Sequence, residues 1–584
     1  MEMIQTTVSS AFRTAIQQAF GLETDPLVTP GTNPQFGDYQ SNAAMGLARQ
    51  LSTAGRKITP REVAEAVSRH ARETLGELAS EVSVAGPGFI NVRLNPRWLA
   101  RRLGEALGDP RLGIPIASQP VRTVVDYSGP NIAKEMHVGH LRSTIIGDAI
   151  SRVIEFQGHE VIRQNHIGDW GTQFGMLIAH LRREMRDQAL SDSTHISDLE
   201  SFYRAAKQRF DSDPGFADEA RETVVRLQSG AAEERAAWEK IVAETRNAYQ
   251  PIYERLNVKL RKEHERGESF YNPFLPSLVA ELKSKGIAVE SQGATVVFVD
   301  GPEKPPMIIE KSGGGFLYAT TDLAGIWYRV TKLGARRLIY THDSRQADHF
   351  RQVFATARRA GWAPPEILLE YAPFGTVLGE DGKPFKTRSG DIVKLKDLLD
   401  EAEERGIAMA RAKAAERESK LDEQQLRQIG RAIGIGAVKY ADLAKDRISN
   451  YVFSWDQMLA LDGNTAPYLQ YAYARIRSIQ RKAGSTTGAA DAPIQLQAEP
   501  ELALAKHILR LGEVIELVAR DLKPHFLAGY LYDLATKFSQ FYEGCPVLQS
   551  AEPTRSSRLQ LCDATARTLA LGLELLGIEH PEQM

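Results

Sequence analysis

The chain has 584 residues, which at roughly 100–200 residues per domain predicts about three to five domains. Its composition, 42% hydrophobic and 25% charged, is that of an ordinary globular protein and excludes a disordered chain. With 72 basic residues against 74 acidic ones, any polyanionic partner must be met by local cationic patches, and two cysteines without a Cys-x-x-Cys spacing exclude a disulfide framework or a thiolate zinc finger.

Residues 1–112 read as a small α+β domain. In "MEMIQTTVSSAFRTAIQQAFG", Phe12, Ile16 and Phe20 recur at i, i+4 and i+8, the mark of an amphipathic helix. This segment lacks the basic start and apolar core of a secretory signal, and no apolar run reaches the about 20 residues that span a bilayer. A cytoplasmic protein is expected. "NPQFGDYQSNAAMGLARQLS" is turn-rich and then helical. In "ITPREVAEAVSRHARE", Thr59 caps a helix that has Pro60 in its first turn. "VSVAGPGFINVRL" reads as two strands joined at Gly86-Pro87-Gly88.

Residues 113–400 alternate strand, loop and helix. "RTVVDYS" is an apolar strand without alternation, as expected where both faces are covered. The loop "GPNIAKEMHVGH" follows, then the helix "LRSTIIGDAISRVIEFQG" with Leu141, Ile145, Ala149 and Val153 on one face and Gly158 as its stop. "EVIRQN" is a second strand, leading to the loop "HIGDWGTQFG" and another helix. This order predicts a Rossmann-like parallel sheet with its site at the carboxyl ends of the strands. An insertion over about 182–300 interrupts it. Residues 182–255 are helical, their charges expected to form a solvated surface, and "GIAVESQGATVVFVDGP" reads as strands. The α/β pattern resumes at "RRLIYTHDSRQADHFRQVFATARRAGW". Residues 401–455 form a helical connector and residues 456–584 an all-helical domain. Within the latter, "AGSTTGAADAPIQLQ" is small, polar and loop-like. The fold class is therefore α/β: a Rossmann-like parallel-sheet domain split by an insertion, between a small N-terminal α+β domain and an all-helical C-terminal domain.

Two short segments carry candidate chemistry. In "HVGH", His137 and His140 stand at a helix N-terminus, where unpaired N–H groups attract anions. Both can donate to phosphate oxygens, Lys134 adds positive charge, and Gly139 lets a purine approach the backbone. Far downstream, "KPFKTRSG" gathers Lys383, Lys386, Thr387 and Arg388 in a Gly-rich turn region, suited to closing over a triphosphate. Taken singly, the first is also what a capped helix contains and the second what a basic surface loop contains.

Their joint order resembles class I aminoacyl-tRNA synthetases. "HVGH" resembles that class's first nucleotide motif. "KPFKTRSG" resembles its second, with Thr387 and Arg388 in place of the usual serine and second lysine. The longer segments "VDYSGPNIAKEMHVGHLRSTIIGD", "VIRQNHIGDWGTQFG", "GAVKYADL" and "GNTAPYLQYAYARIRS" resemble bacterial-type arginyl-tRNA synthetases. The likeness runs from "FGDYQ" to "RTLALGLELLGIE" and is weakest in the helical insertion.

The resemblance implies a two-step reaction. ATP and L-arginine give arginyl-adenylate and pyrophosphate, and arginine then passes to the terminal adenosine of tRNA(Arg). Mg²⁺ accompanies ATP, tRNA is needed for the first step, and a monomer is expected. His137, His140, Lys134, Lys386 and Arg388 would be catalytic, Lys134 compensating for the missing second lysine. ATP would contact Pro130, Asn131, Gly139, Gly168, Asp169, Lys383 and Thr387, with Gly168 and Asp169 touching adenosine or shaping its pocket; Trp170 is expected to pack. The family's arginine pocket maps onto Asp126, Tyr318 and Asp322, carboxylates being the natural partners of a guanidinium. Asn131 and Gln346 match the α-amino end, and Gly129 stands where the family often has serine. Tyr468, Tyr471, Arg475 and Arg477 are anticodon-contact candidates, since aromatics stack on unpaired bases. Phe36, Tyr39 and Gln40 are candidates for the outer corner of the tRNA. Competing readings are another class I synthetase or nucleotidyltransferase, and a tRNA-binding paralogue without catalysis.

Overall fold

A computed structural model describes the chain except for residues 32, 172, 188–198, 313, 387–392, 417–420 and 485–492. The N-terminal domain is an antiparallel sheet of β1 (Val28–Pro30), β2 (Tyr39–Ser41), β3 (Ala79–Ala85) and β4 (Phe89–Leu94) in the order β1-β2-β4-β3. Helices Ile4–Phe20, Ala44–Thr53 and Pro60–Leu75 accompany it. The third begins as its sequence dictates: the Thr59 side chain accepts from Glu62 N, Glu62 reaches back to Thr59 N, and Pro60 occupies the first turn.

The central sheet is wholly parallel. It comprises β5 (Arg122–Asp126) and β6 (Glu160–Gln164), followed after the insertion by β10 (Arg337–Tyr340) and β11 (Leu368–Tyr371), in the order β11-β10-β5-β6. Val124 and Val125 are fully buried, which is why β5 reads as an unbroken apolar run. Helix Val138–Phe156 links β5 to β6, while β10 adds on the other side of β5. The order in which strands are added thus reverses beside β5, the position where such sheets open a crevice. Asp126 pairs in register with both Tyr340 and Gln164, and Tyr340 with Tyr371, so four strands end level.

Helix Gln173–Asp187 leads into the insertion, whose helices Leu199–Ser212, Pro214–Gln228 and Ala232–Arg255 share with it a core including Phe174, Leu177, Phe216 and Ile241. The insertion's charges are not all solvated. Glu234 is buried and accepts from Arg226 Nε at 2.6 Å, with Arg182 at 2.8 Å. Packing of adjacent helices encloses that carboxylate, and paired cations make its burial tolerable. An antiparallel sheet follows: β7 (Val289–Ser291), β8 (Ala294–Val297) and β9 (Met307–Glu310).

Beyond the sheet the chain is almost entirely helical. Leu395–Glu416 crosses Glu423–Leu443 closely, and a Cβ at Gly406 would lie 2.0 Å from Gly430 O. Only glycine allows that approach. The bundle then continues through Ala466–Ala483, Glu499–Ile508, Leu511–Asp521, His525–Gly544 and Thr554–Leu575. It folds back on the first domain: Tyr39 Oη donates to Glu513 at 2.6 Å, and Lys506 pairs with Asp38 at 2.8 Å. Among the described residues, no helix is long and apolar enough to cross a membrane.

Candidate active site

The loop after β5 is held in an unfavourable backbone path. Ser128, Gly129 and Ala133 have φ of 77°, 60° and 59°, and for a non-glycine residue this costs about 1–3 kcal/mol. Side chains from three elements offset it. Ser143 Oγ accepts from Ser128 N, Asn165 Oδ1 from Gly129 N, and Thr245 Oγ1 from Ala133 N, at 2.9, 2.9 and 3.0 Å. Glycine at 129 suits its left-handed φ. The loop also pairs with the segment after β6, through Ile132 N to Gly168 O and Gly168 N to Pro130 O, each 3.2 Å. Asn131, Pro130 and Gly168 therefore lie side by side, with Asn131 exposed.

His137 caps the following helix. Its Nδ1 accepts from Gly139 N at 3.1 Å, and His140 Nδ1 accepts from His137 N at 3.1 Å. A backbone N–H can only donate, so each ring carries its proton on Nε2. Burial, then the Lys134 charge, depresses the His137 pKa. Burial and the adjacent His137 push His140 down to about 3. The two rings, with centroids 4.0 Å apart, are neutral near pH 7 and offer Nε2–H donors suited to phosphate oxygens. Gly139 has a different use from the one read in the sequence: a Cβ there would lie 2.8 Å from His137 Cε1, so glycine leaves room for the ring of His137 itself.

The chain just beyond the second motif is strapped onto the first. Val138 N donates to Val393 O at 3.0 Å and Leu395 N to Met136 O at 2.8 Å. Lys394 bonds Glu135 at 2.6 Å and Glu200, from the insertion, at 3.1 Å. Lys383 and Lys386 are exposed ahead of this strap. Thr387 and Arg388 lie outside the described residues. A cavity of about 650 Å³ opens beside the histidines, lined by Asn131, Lys134, His137, His140, Tyr203 and Lys394 among others.

Asp126, at the end of β5, is buried and already partnered: Arg329 Nη2 donates to its Oδ2 at 2.6 Å while Arg329 Nε donates to Gln164. Burial raises its pKa, but Arg329, His342 and His166 together hold the carboxyl below its ordinary value. Its second oxygen accepts no hydrogen bond and faces His342 Nε2 at 4.0 Å. Asp322 is the more accessible acid. It shares a helix with Tyr318 four residues earlier, takes His349 Nε2 at 2.6 Å and lies 4.0 Å from His166. The Tyr318 ring is exposed and rests 4.8 Å from that of His349. Gln346 is exposed at the start of helix Ala347–Arg359.

One acid here is absent from the sequence reading. Glu268 is pushed up to about 7 by burial and then by the nearby carboxylates Asp322 and Asp169. Carboxylates that repel one another in this way form a place for a cation. Nothing local in "ERGESFY" separates Glu268 from other acids, because folding alone brings the insertion's return segment to Asp322. Asp169 turns inward, accepting from Ser269 N and Oγ at 2.8 and 2.6 Å. It anchors the segment that carries Glu268. Trp170 packs edge-on against Trp238, centroids 6.3 Å apart.

The tRNA-contact candidates divide. Phe36 is 53% exposed, but Tyr39 is only 1% exposed, its hydroxyl spent on Glu513, so it joins two domains and presents no free ring. Gln40 is half-buried and bonds Asn91 at 2.8 Å. Tyr468 and Tyr471 are half-buried; Arg475 is exposed over the Tyr542 ring, and Arg477 pairs with Glu582.

A split parallel sheet with a histidine-capped helix at its crevice fits a class I aminoacyl-tRNA synthetase, and residues 105–455 match the family model of class I (R) tRNA synthetase catalytic domains. Residues 4–94 match the arginyl tRNA synthetase N terminal domain and residues 469–584 the DALR anticodon binding domain. The chain is 53% identical to an arginine–tRNA ligase of Synechococcus elongatus over 98% of each. Among solved structures it resembles the arginyl-tRNA synthetases of Plasmodium falciparum (31% identity, TM-score 0.86) and Thermus thermophilus (26%, 0.82), each covering both chains completely. The chain belongs to the arginyl-tRNA synthetases.

Proposed function

We infer that the chain is an ATP-dependent arginine–tRNA ligase, forming arginyl-adenylate and pyrophosphate and then arginyl-tRNA(Arg). The observation that supports the reading of its site is the backbone strap from residues 393–395 to residues 136–138, which joins the chain just beyond the downstream basic segment to the histidine motif. ATP enters as its magnesium complex. The arginine carboxylate attacks the α-phosphorus, and the Nε2–H groups of His137 and His140 donate to phosphate oxygens as charge builds on the leaving pyrophosphate. Lys134, Lys383, Lys386 and Arg388 supply cations, and Thr387 a hydroxyl donor. No side chain acts as a covalent nucleophile; catalysis is positioning and charge stabilisation. Glu268 and Asp322 receive the substrate guanidinium beside Tyr318, and Asn131 and Gln346 hold its α-amino end. Asp126 stays paired with Arg329 and shares the neighbours His166 and His342 with Asp322. The tRNA ribose hydroxyl then attacks the acyl carbon, with Phe36 at the outer corner of the tRNA and Tyr468, Tyr471, Arg475 and Arg477 toward its anticodon. The protein works as a monomer in the cytoplasm.

Incubation with ATP, Mg²⁺, total tRNA and labelled arginine should give label on the 3′-terminal adenosine as a base-labile ester; no charging would overturn the reading. Lys134→Ala should slow tRNA-dependent pyrophosphate exchange by more than tenfold, and exchange within a few-fold of wild type would remove Lys134 from its assigned role.

A further inference from the structure

The helical insertion reaches the nucleotide loops through one helix face. Glu200 and Tyr203 lie three residues apart on helix Leu199–Ser212, hence on the same side. Tyr203 presents its ring to Lys134, whose Nζ stands 4.9 Å from the centroid. Glu200 bonds Lys394, which also bonds Glu135 and whose backbone bridges to His137. A single inserted helix thus grips Lys134 of the first nucleotide loop and Lys394 of the strap just beyond the second, on the wall of the cavity that His137 and His140 also line.

The two grips differ in kind. A carboxylate beside Lys394 neutralises it, which suits a structural strap. Among the described residues, no carboxylate lies within ion-pair reach of Lys134; a ring face orients it instead. A ring attracts an ammonium through its quadrupole without cancelling the net charge. The ammonium keeps its field, and N–H donors remain for an incoming phosphate. It is close enough to the histidines to depress the pKa of both.

We propose that Tyr203 is a positioning residue for arginine activation: its ring holds the Lys134 ammonium, uncompensated, beside the histidine pair where the ATP triphosphate enters. This rests on the role given to Lys134 above. Without the ring, the lysine stem explores solvent, and the ordering cost falls on the transition state.

A double-mutant cycle in tRNA-dependent ATP–pyrophosphate exchange tests it. Tyr203→Leu should lower kcat roughly 3- to 10-fold, the size of a partly desolvated cation–ring contact, with KM for arginine unchanged. Tyr203→Phe keeps the ring and should match wild type. In a Lys134→Ala background, Tyr203→Leu should cost nothing further. If Lys134→Ala alone is harmless, the role of Lys134 fails and this inference with it. If Lys134→Ala is damaging but Tyr203→Leu matches or exceeds wild type, or the two losses multiply, Tyr203 does not act through Lys134 and only this inference falls.

Discussion

At the scale of single residues, the site depends on which atoms carry protons. His140 donates from Nε2 because its Nδ1 is committed to the backbone, and a pKa near 3 keeps it neutral. ¹⁵N NMR should therefore find its Nε2–H tautomer unchanged from pH 8 to pH 5; titration near 6.5 would contradict that environment. Replacing it with alanine should cost about 10²–10³ in exchange rate, as for the loss of one donor to a developing anion. Glu268 behaves oppositely. Its carboxyl, at about 7, is protonated below that pH and anionic above it, so arginine should bind more tightly, with proton release, as pH rises from 6 to 8. Glu268→Gln should abolish that dependence and weaken arginine binding. It should also stabilise the free protein at pH 8 by about 1–3 kcal/mol, since a raised carboxyl pKa destabilises the fold above its ordinary range. Calorimetry and thermal melts read all three effects. The histidine pair was legible because two residues three apart at a helix start are local information. Glu268 was not, because its environment is made by Asp322 and Asp169, each supplied by a distant segment.

Among elements, local signals were read well where the backbone itself enforces them. Thr59 and Glu62 cap a helix as their spacing requires, and Gly86 and Gly88 take positive φ between β3 and β4. Exposure was not legible in the same way. Tyr39 sits in a turn-rich stretch that suggests a free aromatic, yet β2 pairs with β4 and turns it onto Glu513. Tyr39→Phe removes that hydrogen bond. It should lower stability by about 1 kcal/mol while leaving the affinity for tRNA unchanged in filter binding; a large loss of tRNA affinity with unchanged stability would reverse the assignment. The charged insertion likewise looks solvated in one dimension. Its buried acid Glu234 and its grip on Lys134 and Lys394 emerge only when helices pack.

Across the whole molecule, the order of domains was legible from pattern alone, but not what fastens them. Lys439 is fully buried and donates to Leu256 O and Gly577 O, both at 2.6 Å, joining the end of helix Ala232–Arg255 to the end of the last helix. Arg152, from the histidine-capped helix, donates alongside it to Glu574 O and Asn257 O. Burial lowers the Lys439 pKa to about 7, and a neutral amine still has N–H donors enough for two carbonyls. The unfolded chain binds more protons between pH 7 and about 10, so this group makes stability rise with pH in that window. Lys439→Met should flatten that rise and, by leaving two carbonyls unbonded, destabilise the fold by about 1–3 kcal/mol, measured by denaturant unfolding.

We propose that these fastened domains present a histidine-lined phosphate site next to an acidic pocket for a guanidinium. ATP–pyrophosphate exchange with each amino acid in turn, with and without tRNA, tests it most directly. Exchange should appear with arginine and depend on tRNA. Exchange with lysine or glutamine in place of arginine, or with no amino acid at all, would contradict the account.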